Sequence, residues 1–455
     1  MTPTSSQVLS YRQVLYLAIP IILANLTLPL MSAVDTAVAG HLPGAQHLAG
    51  VAIGSIFFNL LFWVFGFLRM GTTGVVAQYF SVGKAESIVL TVGRGILIAG
   101  AIGLSILLLQ RPLIDAGISL LGASQEAAEQ ARLYAGGRVW SAPFTLINYV
   151  ILGWLLGCQR VRVALAIQIL INIVNLAAVL SFVYGLGWSV SGIGRATAVA
   201  DISGAAVGAW LIWRSYRSQI RATRWIEIFE PDALRRMVQI NSHIFIRTAC
   251  LLATMAWFTH LGAKQGDALL AANAILLNFL SFTSYGLDGF AHAAETLSGS
   301  AVGQRNSKRL ARVIKVCMVW GLIGSVLYML VYGVAGMSLI RLLTDQPDIA
   351  RLADQYLVWA ALAPLISMPA YLYDGVFMGA TRTQPLMLIM VACSAVFLGL
   401  SLVLLPLWGN HGLWLSFLTF NGLRGLGLAL ALRPAIFRPL GAPADRGRRE
   451  PPPRG

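Results

Sequence analysis

From about residue 14 to residue 432 the chain alternates between long apolar runs and short polar breaks. Each run is close to the roughly 20 residues a helix needs to cross a bilayer. The runs are continuously apolar rather than alternating between two faces, which points to helices and away from a β-barrel. Twelve spans are predicted, near 14–38, 48–68, 90–110, 133–157, 163–185, 191–213, 237–261, 269–291, 313–333, 355–379, 385–407 and 412–432. The expected fold is an all-α integral membrane protein.

The polar breaks carry charge unevenly. One set holds Arg12, Lys84, Arg94, Arg160, Arg162, the arginines from Arg214 to Arg236, then Arg305, Lys308, Arg309 and Arg382. The opposite set holds chiefly Arg111, Lys264, Arg341 and Arg351. Basic loops remain in the cytoplasm, so both termini are expected there. Composition changes this picture little: 57% of the 455 residues are hydrophobic and 11% charged, where a soluble domain is about a quarter charged. The net charge of +15 sits in loops and the tail, so it orients helices rather than marking a nucleic-acid surface. Cys158, Cys250, Cys317 and Cys393 lie inside apolar segments without metal-type spacing, as small buried residues do. The first apolar run is long and lacks a small-x-small cleavage site, so no cleavable signal peptide is expected.

The chain also repeats itself. "GWLLGCQR" (153–160) matches "GVFMGATR" (375–382), with Arg160 and Arg382 222 residues apart. Tyr134 and Tyr356 share that separation, Pro143 and Pro364 nearly so, and "SVGK" (81–84) matches "AVGQ" (301–304) at 220. Six spans per half makes the repeats parallel, a plan that transporters use with the substrate site near the midplane. The expected division is an N-terminal lobe 1–213, a cytoplasmic linker 214–236, a C-terminal lobe 237–437 and a disordered basic tail 438–455.

An ionisable side chain at the centre of a membrane helix costs about 2.5–3.5 kcal/mol on insertion scales, so such residues tend to be functional. Asp35 has no basic residue within a turn along the chain, and Asn25, Ser32, Asp35 and Thr36 fall on one stripe of the first span. Pro20 and Pro29 lie on the same span, where a proline removes a backbone hydrogen bond and bends a helix. Burial disfavours charge, so a carboxylate here is a candidate proton-exchanging switch; the alternative is a structural aspartate. The fifth span carries Gln168, Asn172 and Asn175 on one face, and the sixth carries Gly194, Thr197, Asp201, Gly204 and Gly208. Together these oxygens suit a proton network or a hard cation such as Na+.

The C-terminal half differs. Ser281, Ser284, Asp288, His292 and Glu295 run down one face of the eighth span, Asp374 lies in the tenth and Arg247 in the seventh. Arg247 is placed to neutralise either Asp288 or Asp374. Glu295 and His292 are expected to be wetted near the cytoplasmic end, and Arg69 to snorkel there. No zinc, Walker-loop or nucleophile-elbow motif is present, so neither an enzyme nor an ATP-driven pump is expected. No Gly-rich filter motif repeats, which leaves secondary transport rather than a channel. The cavity is read as acidic and neutral apart from Arg247, which argues against the alternative of a lipid-linked precursor flippase, whose substrates carry phosphates.

The stretches "IPIILANLTLPLMSAVDTAVAGHL", "LRMGTTG", "SYGLDGFAHAAE", "YDGVFMGATR" and "GNHGLWLS" resemble the multidrug and toxic compound extrusion (MATE) family, and within it the bacterial DNA-damage-inducible protein F (DinF) subfamily. The resemblance runs from about residue 14 to 433. It implies two pseudo-symmetric six-helix lobes in the bacterial inner membrane. It also implies efflux of lipophilic, often cationic organic compounds, coupled to a cation and without a cofactor. On this resemblance Asp35 is the coupling carboxylate, Pro20 marks the bend, and Asn175 and Asp201 join the cation network. Asn172 and Thr197 extend that network, while Asn25, Ser32, Gln168, Arg247, Ser281, Asp288 and Asp374 are substrate-cavity candidates. Many relatives have an acidic residue one turn after the asparagine of the fifth span, where this chain has Val179. That departure leans away from a Na+ cage and toward protons. The expected protein is a monomer in contact with membrane lipid.

Overall fold

The computed structural model describes residues 10–122 and 124–441, apart from the side chains of residues 27–30 and 32. The helices are α1 (Tyr11–Gly40), α2 (Ala45–Val64), α3 (Phe67–Ser81), α4 (Ala85–Leu108), α5 (Gln110–Leu120), α6 (Gln125–Arg138) and α7 (Ala142–Gly157). They continue with α8 (Val161–Leu180), α9 (Ser189–Ala222), α10 (Pro231–Ala263), α11 (Asp267–Gly303), α12 (Ser307–Leu343), α13 (Pro347–Gly379) and α14 (Thr383–Leu432). Among the described residues there is no strand. This is what a bilayer demands, because a helix satisfies its own backbone where no water is present.

Among the described residues ten helical stretches are long and apolar enough to cross a membrane, against the twelve predicted spans. The differences fall at two places. The first predicted span, 14–38, falls within the 30-residue α1, of which Tyr11–Leu26 counts among the described residues as a shorter apolar helix. The last two spans form one stretch, Thr383–Gly441, of 59 residues. Its backbone leaves helical geometry at Gly409 (φ 55, ψ −137). The two arms fold back on each other there: a Cβ at Gly412 would strike the Leu404 carbonyl, and one at Gly427 would touch Ile389. The Phe397 ring lies 6.4 Å from Phe417 and 6.0 Å from Phe420 across the same turn.

The internal repeat is written in the backbone more clearly than in the side chains. Left-handed φ values mark the turns between helices, and eight of them form four pairs at 222 residues: 44 with 266, 83 with 305, 159 with 381, and 187 with 409. The "SVGK" match at 220 is therefore out of register by two, since Gly83 corresponds to Arg305. Gln159, Arg305 and Thr381 adopt positive φ without being glycine, which L-residues rarely do. At the 83/305 pair the same turn is made by glycine in one repeat and arginine in the other.

Within the first repeat α2 packs on α6, α4 on α7, and α6, α7 and α8 on α9; within the second, α13 packs on α11, α12 and α14. α1, α3 and α11 form the seam between them. The seam is tight because small residues let backbones meet. A Cβ at Gly74 would run into the Met378 carbonyl oxygen, and one at Gly303 into the Gln78 carbonyl oxygen. Cross-seam hydrogen bonds gather at the same end, from Gln78 Nε2 to the Gly379 carbonyl at 3.0 Å and from Thr296 Oγ1 to the Leu156 carbonyl at 3.2 Å. The two halves are thus closed together at the end of the bundle where α1 begins.

The segment 214–236, read as a loop, is largely helical. α9 continues to Ala222 with one non-helical residue, Tyr216 (φ −130, ψ 25), and a short 3-10 turn, Trp225–Phe229, leads into α10. Arg94, read as a loop charge, is buried and donates to the carbonyls of Ile228 and Glu227 at 3.1 and 2.6 Å, pinning that turn. The C-terminal helical region runs past the predicted limit at 437, with Arg438–Gly441 helical; the rest of the predicted tail lies outside the described residues.

Candidate functional site

Asp35 lies on α1 five residues before the helix ends and is 3% exposed. Its Oδ2 accepts a hydrogen bond from the Tyr134 hydroxyl on α6 at 3.5 Å. That hydroxyl in turn accepts from Arg138 Nη1, one turn further along α6, and from Ser55 Oγ on α2 at 3.2 Å. Asp35 Oδ1 is buried and has no hydrogen-bond partner among the described residues. The carboxylate is therefore held on one side by a long bond and carries spare accepting capacity on the other.

The other N-terminal candidates make hydrogen bonds of their own rather than to Asp35. Asn175 on α8, 1% exposed, donates to Thr197 Oγ1 on α9 at 3.3 Å. Asp201 accepts from Thr145 Oγ1 of α7, and its backbone carbonyl accepts from Asn148 Nδ2 at 2.9 Å. Arg138 interacts electrostatically with both Asp35 and Asp201, so it joins what hydrogen bonds leave apart. Gln168 donates to Asn172 at 3.4 Å within α8 itself.

The polar stripe expected along α1 divides between the two halves. Asn25 donates to the Tyr285 carbonyl of α11 at 3.4 Å, whereas Asp35 faces α6. Ten residues of helix rotate a side chain by about 80° from its starting direction, and α1 lies in the seam, so each residue meets a different lobe. The Ser32 and Pro29 side chains lie outside the described residues. α1 runs as one helix through Pro20, which borders a small cavity with Asn25, Arg69 and His292.

In the C-terminal half Arg247 pairs with Asp374 and not with Asp288. Asp374 Oδ2 accepts from Arg247 Nη2 and, at 2.8 Å, from Arg424 Nη2. All three are buried, with Arg424 1% exposed. This ties Asp374 and Arg247 into a structural clamp. Ser284 lies 3.3 Å from the Tyr371 hydroxyl, while Ser281 is exposed and bonds its own helix at Leu277. Asp288 faces His292, Arg69 and Arg247 electrostatically.

Two expectations at the closed end fail. Glu295 is 0% exposed, so water does not account for it. Arg69 does not snorkel; its Nη1 lies 3.8 Å from Glu295 Oε2 and 3.3 Å from His292 Nδ1. The cluster joins α3 of one lobe to α11 of the other. Besides Arg247, three further arginines, Arg69, Arg138 and Arg424, sit among the helices. Each meets a carboxylate or phenol, so they do not form an open basic surface.

Arg138 and Arg424, and the hydroxyl of Tyr134 as a hydrogen-bond partner of Asp35, are what the sequence analysis missed. The signal was present: both arginines fall inside predicted spans, where a charge is as costly as at Asp35.

The MatE family model matches residues 20–183 and 243–403. The chain belongs to the MatE family, whose members are membrane transporters rather than enzymes. It is similar to DNA damage-inducible protein F of Escherichia coli (strain K12), with 38% identity over 423 residues, 92% of this chain and 91% of that protein. Its fold matches the Vibrio cholerae MATE transporter VcmN in the bent form with a TM-score of 0.82, at 20% identity over 94% of this chain and 97% of that one. A second MATE structure in the bent conformation gives 0.83 at 17% identity, over 96% of this chain and 100% of that one.

Proposed function

We propose that this chain is a proton-coupled antiporter that exports lipophilic, often cationic organic compounds across the bacterial inner membrane by alternating access, as a monomer with both termini in the cytoplasm. The observation that carries the reading is the state of Asp35: a buried carboxylate with one long hydrogen bond and one unpartnered oxygen. Such a group accepts a proton without first breaking a strong ion pair. On the outer side, protonation removes the charge that holds α1 to Tyr134 and Arg138, the helix bends at Pro20, and the compound leaves. On the inner side, deprotonation restores the site. A proton drives the cycle only through its different affinity for the two states.

The closed seam supports the same cycle. In this reading the basic-loop bias assigns the closed end to the cytoplasm, so this conformation is one sealed on the inner side. Arg138 beside the carboxylates favours protons over Na+, because a fixed positive charge repels a second cation.

The test is pH-gradient-driven transport of a fluorescent lipophilic cation in proteoliposomes, wild type against Asp35→Asn, with and without Na+. Gradient-dependent transport that falls at least about tenfold in the variant, equal to about 1.4 kcal/mol or more, is expected at matched folding. Transport that requires Na+ replaces the proton with Na+ in this reading. A variant equal to wild type, or a probe that neither gradient moves, sinks drug antiport and directs the next assay to flipping of a lipid phosphate.

A further inference from the structure

Arg138 holds a place that a transport cycle based on carboxylates alone does not explain. It ends α6, with its guanidinium 5.1 Å from the Phe58 ring centroid and 5.6 Å from that of Tyr134. Nη1 donates to the Tyr134 hydroxyl, which donates onward to Asp35. Nε is buried and without a partner among the described residues, as is Asp35 Oδ1. A donor and an acceptor with unused capacity thus lie two hydrogen bonds apart. Arg138 also interacts electrostatically with Asp201, which accepts from Thr145, and Asn175 bonds Thr197 on the neighbouring helices α8 and α9; carboxylate, hydroxyl and amide oxygens are the hard donors that attract a metal cation.

A set of this kind needs positive charge when its carboxylates are ionised, and here an arginine supplies it. Guanidinium cannot lose its proton in a protein, so the charge is permanent and cannot leave with the cargo. We propose that the Arg138 guanidinium is the built-in counter-cation of Asp35 and Asp201, occupying the role that a bound Na+ would otherwise fill in this cluster. Its spare Nε lets it draw closer to whichever carboxylate is ionised, while Tyr134 keeps it in reach of Asp35. Val179 is consistent with this: with a resident cation, a further acid on α8 is not needed, and the position is fully buried and apolar. The inference rests on the antiport reading for its purpose but makes a binding prediction that stands apart from transport.

The experiment is thermal unfolding of the purified full-length protein in detergent, in NaCl against choline chloride at equal concentration. Wild type is expected to unfold at the same temperature in both salts. Arg138→Gln is expected to unfold lower in choline and to recover by several degrees, saturably, in Na+, because a ligand that binds only the folded state stabilises it. Arg138→Lys, which keeps the charge, is expected to behave as wild type. Na+ stabilisation of the wild type, or no Na+ effect on Arg138→Gln, overturns the proposal. Should the single variant not fold, Arg138→Gln combined with Asp35→Asn takes its place. Removing both charges is expected to restore folding, and a double variant that also fails shows a packing role and overturns the proposal. A wild type that no pH gradient drives would sink the antiport reading alone, since the unfolding measurement involves no transport.

Discussion

Asp35 and Asp374 are buried aspartates in two halves that share one backbone plan, and they are held in opposite ways. Asp374 is gripped by two guanidinium groups on the same oxygen. Asp35 takes one 3.5 Å bond from a phenol, with its arginine one step removed. At the 222-residue spacing of the turns, Asp35 corresponds to Trp257 and Asp374 to Leu152, so neither acid has a counterpart. The difference teaches that the repeat supplies a scaffold rather than a site. One copy holds its acid by a single long bond, the other by two guanidinium groups, and in the proposed cycle only the first changes charge.

The sharpest way to break this comparison is to neutralise both acids and compare the losses. Asp374→Asn leaves two buried arginines without a counter-charge, and removal of one partner from a buried ion pair costs roughly 3–5 kcal/mol. A large fall in folded yield and unfolding temperature is expected, against a small change for Asp35→Asn. Equal thermal shifts for the two variants would erase the distinction between a fixed and an exchangeable acid.

Glu295→Gln tests the third cluster, which belongs to neither half alone. Arg69 and His292 lose their charged partner, a loss of about 1–3 kcal/mol for a buried group left unsatisfied. Because α3 and α11 are on opposite sides of the seam, part of that loss is expected as opening of the closed end. Spin labels at Val82 and Arg305 should report a longer or broader distance than in the otherwise wild-type background. An unchanged distance with lowered stability would make the cluster a local brace.

The smallest effect is expected at Ser281→Ala. The side chain is exposed and bonds its own helix, and surface substitutions of this kind usually lie within about 0.5 kcal/mol. Transport and unfolding temperature should both match wild type. A clear loss of transport would return Ser281 to the substrate path.

Much of the helical plan was legible because hydrophobic length is a local property. The runs that a bilayer requires are contiguous in the chain, and every predicted span falls largely on helix, although several helical stretches run ten residues or more past it and the last two spans share one helix broken at Gly409. The linker was misread for an equally local reason: its arginines look like a solvated loop, whereas Arg94, 134 residues from Ile228, provides the hydrogen bonds that order it. Asp35, Asn175, Thr197 and Asp201 stood out by residue type alone. The stripe along α1 did not survive, because facing depends on which helices lie beside it.

By itself the sequence determined that this is a many-helix membrane protein with an internal repeat and several acids that lipid would not tolerate without a purpose. Apolar length, loop charge and residue type suffice for that, since each acts within a few turns of chain. Only the tertiary structure decided the partners. Asp35 has no basic neighbour along its own helix, and its cation arrives from α6, more than a hundred residues later. Arg247 had two acids within reach on paper, and packing of α10 against α14 gave it Asp374 together with Arg424. Electrostatic pairing falls off with distance in space, not with separation in sequence, so the chemistry of each buried acid is settled by the helix that folding brings alongside it.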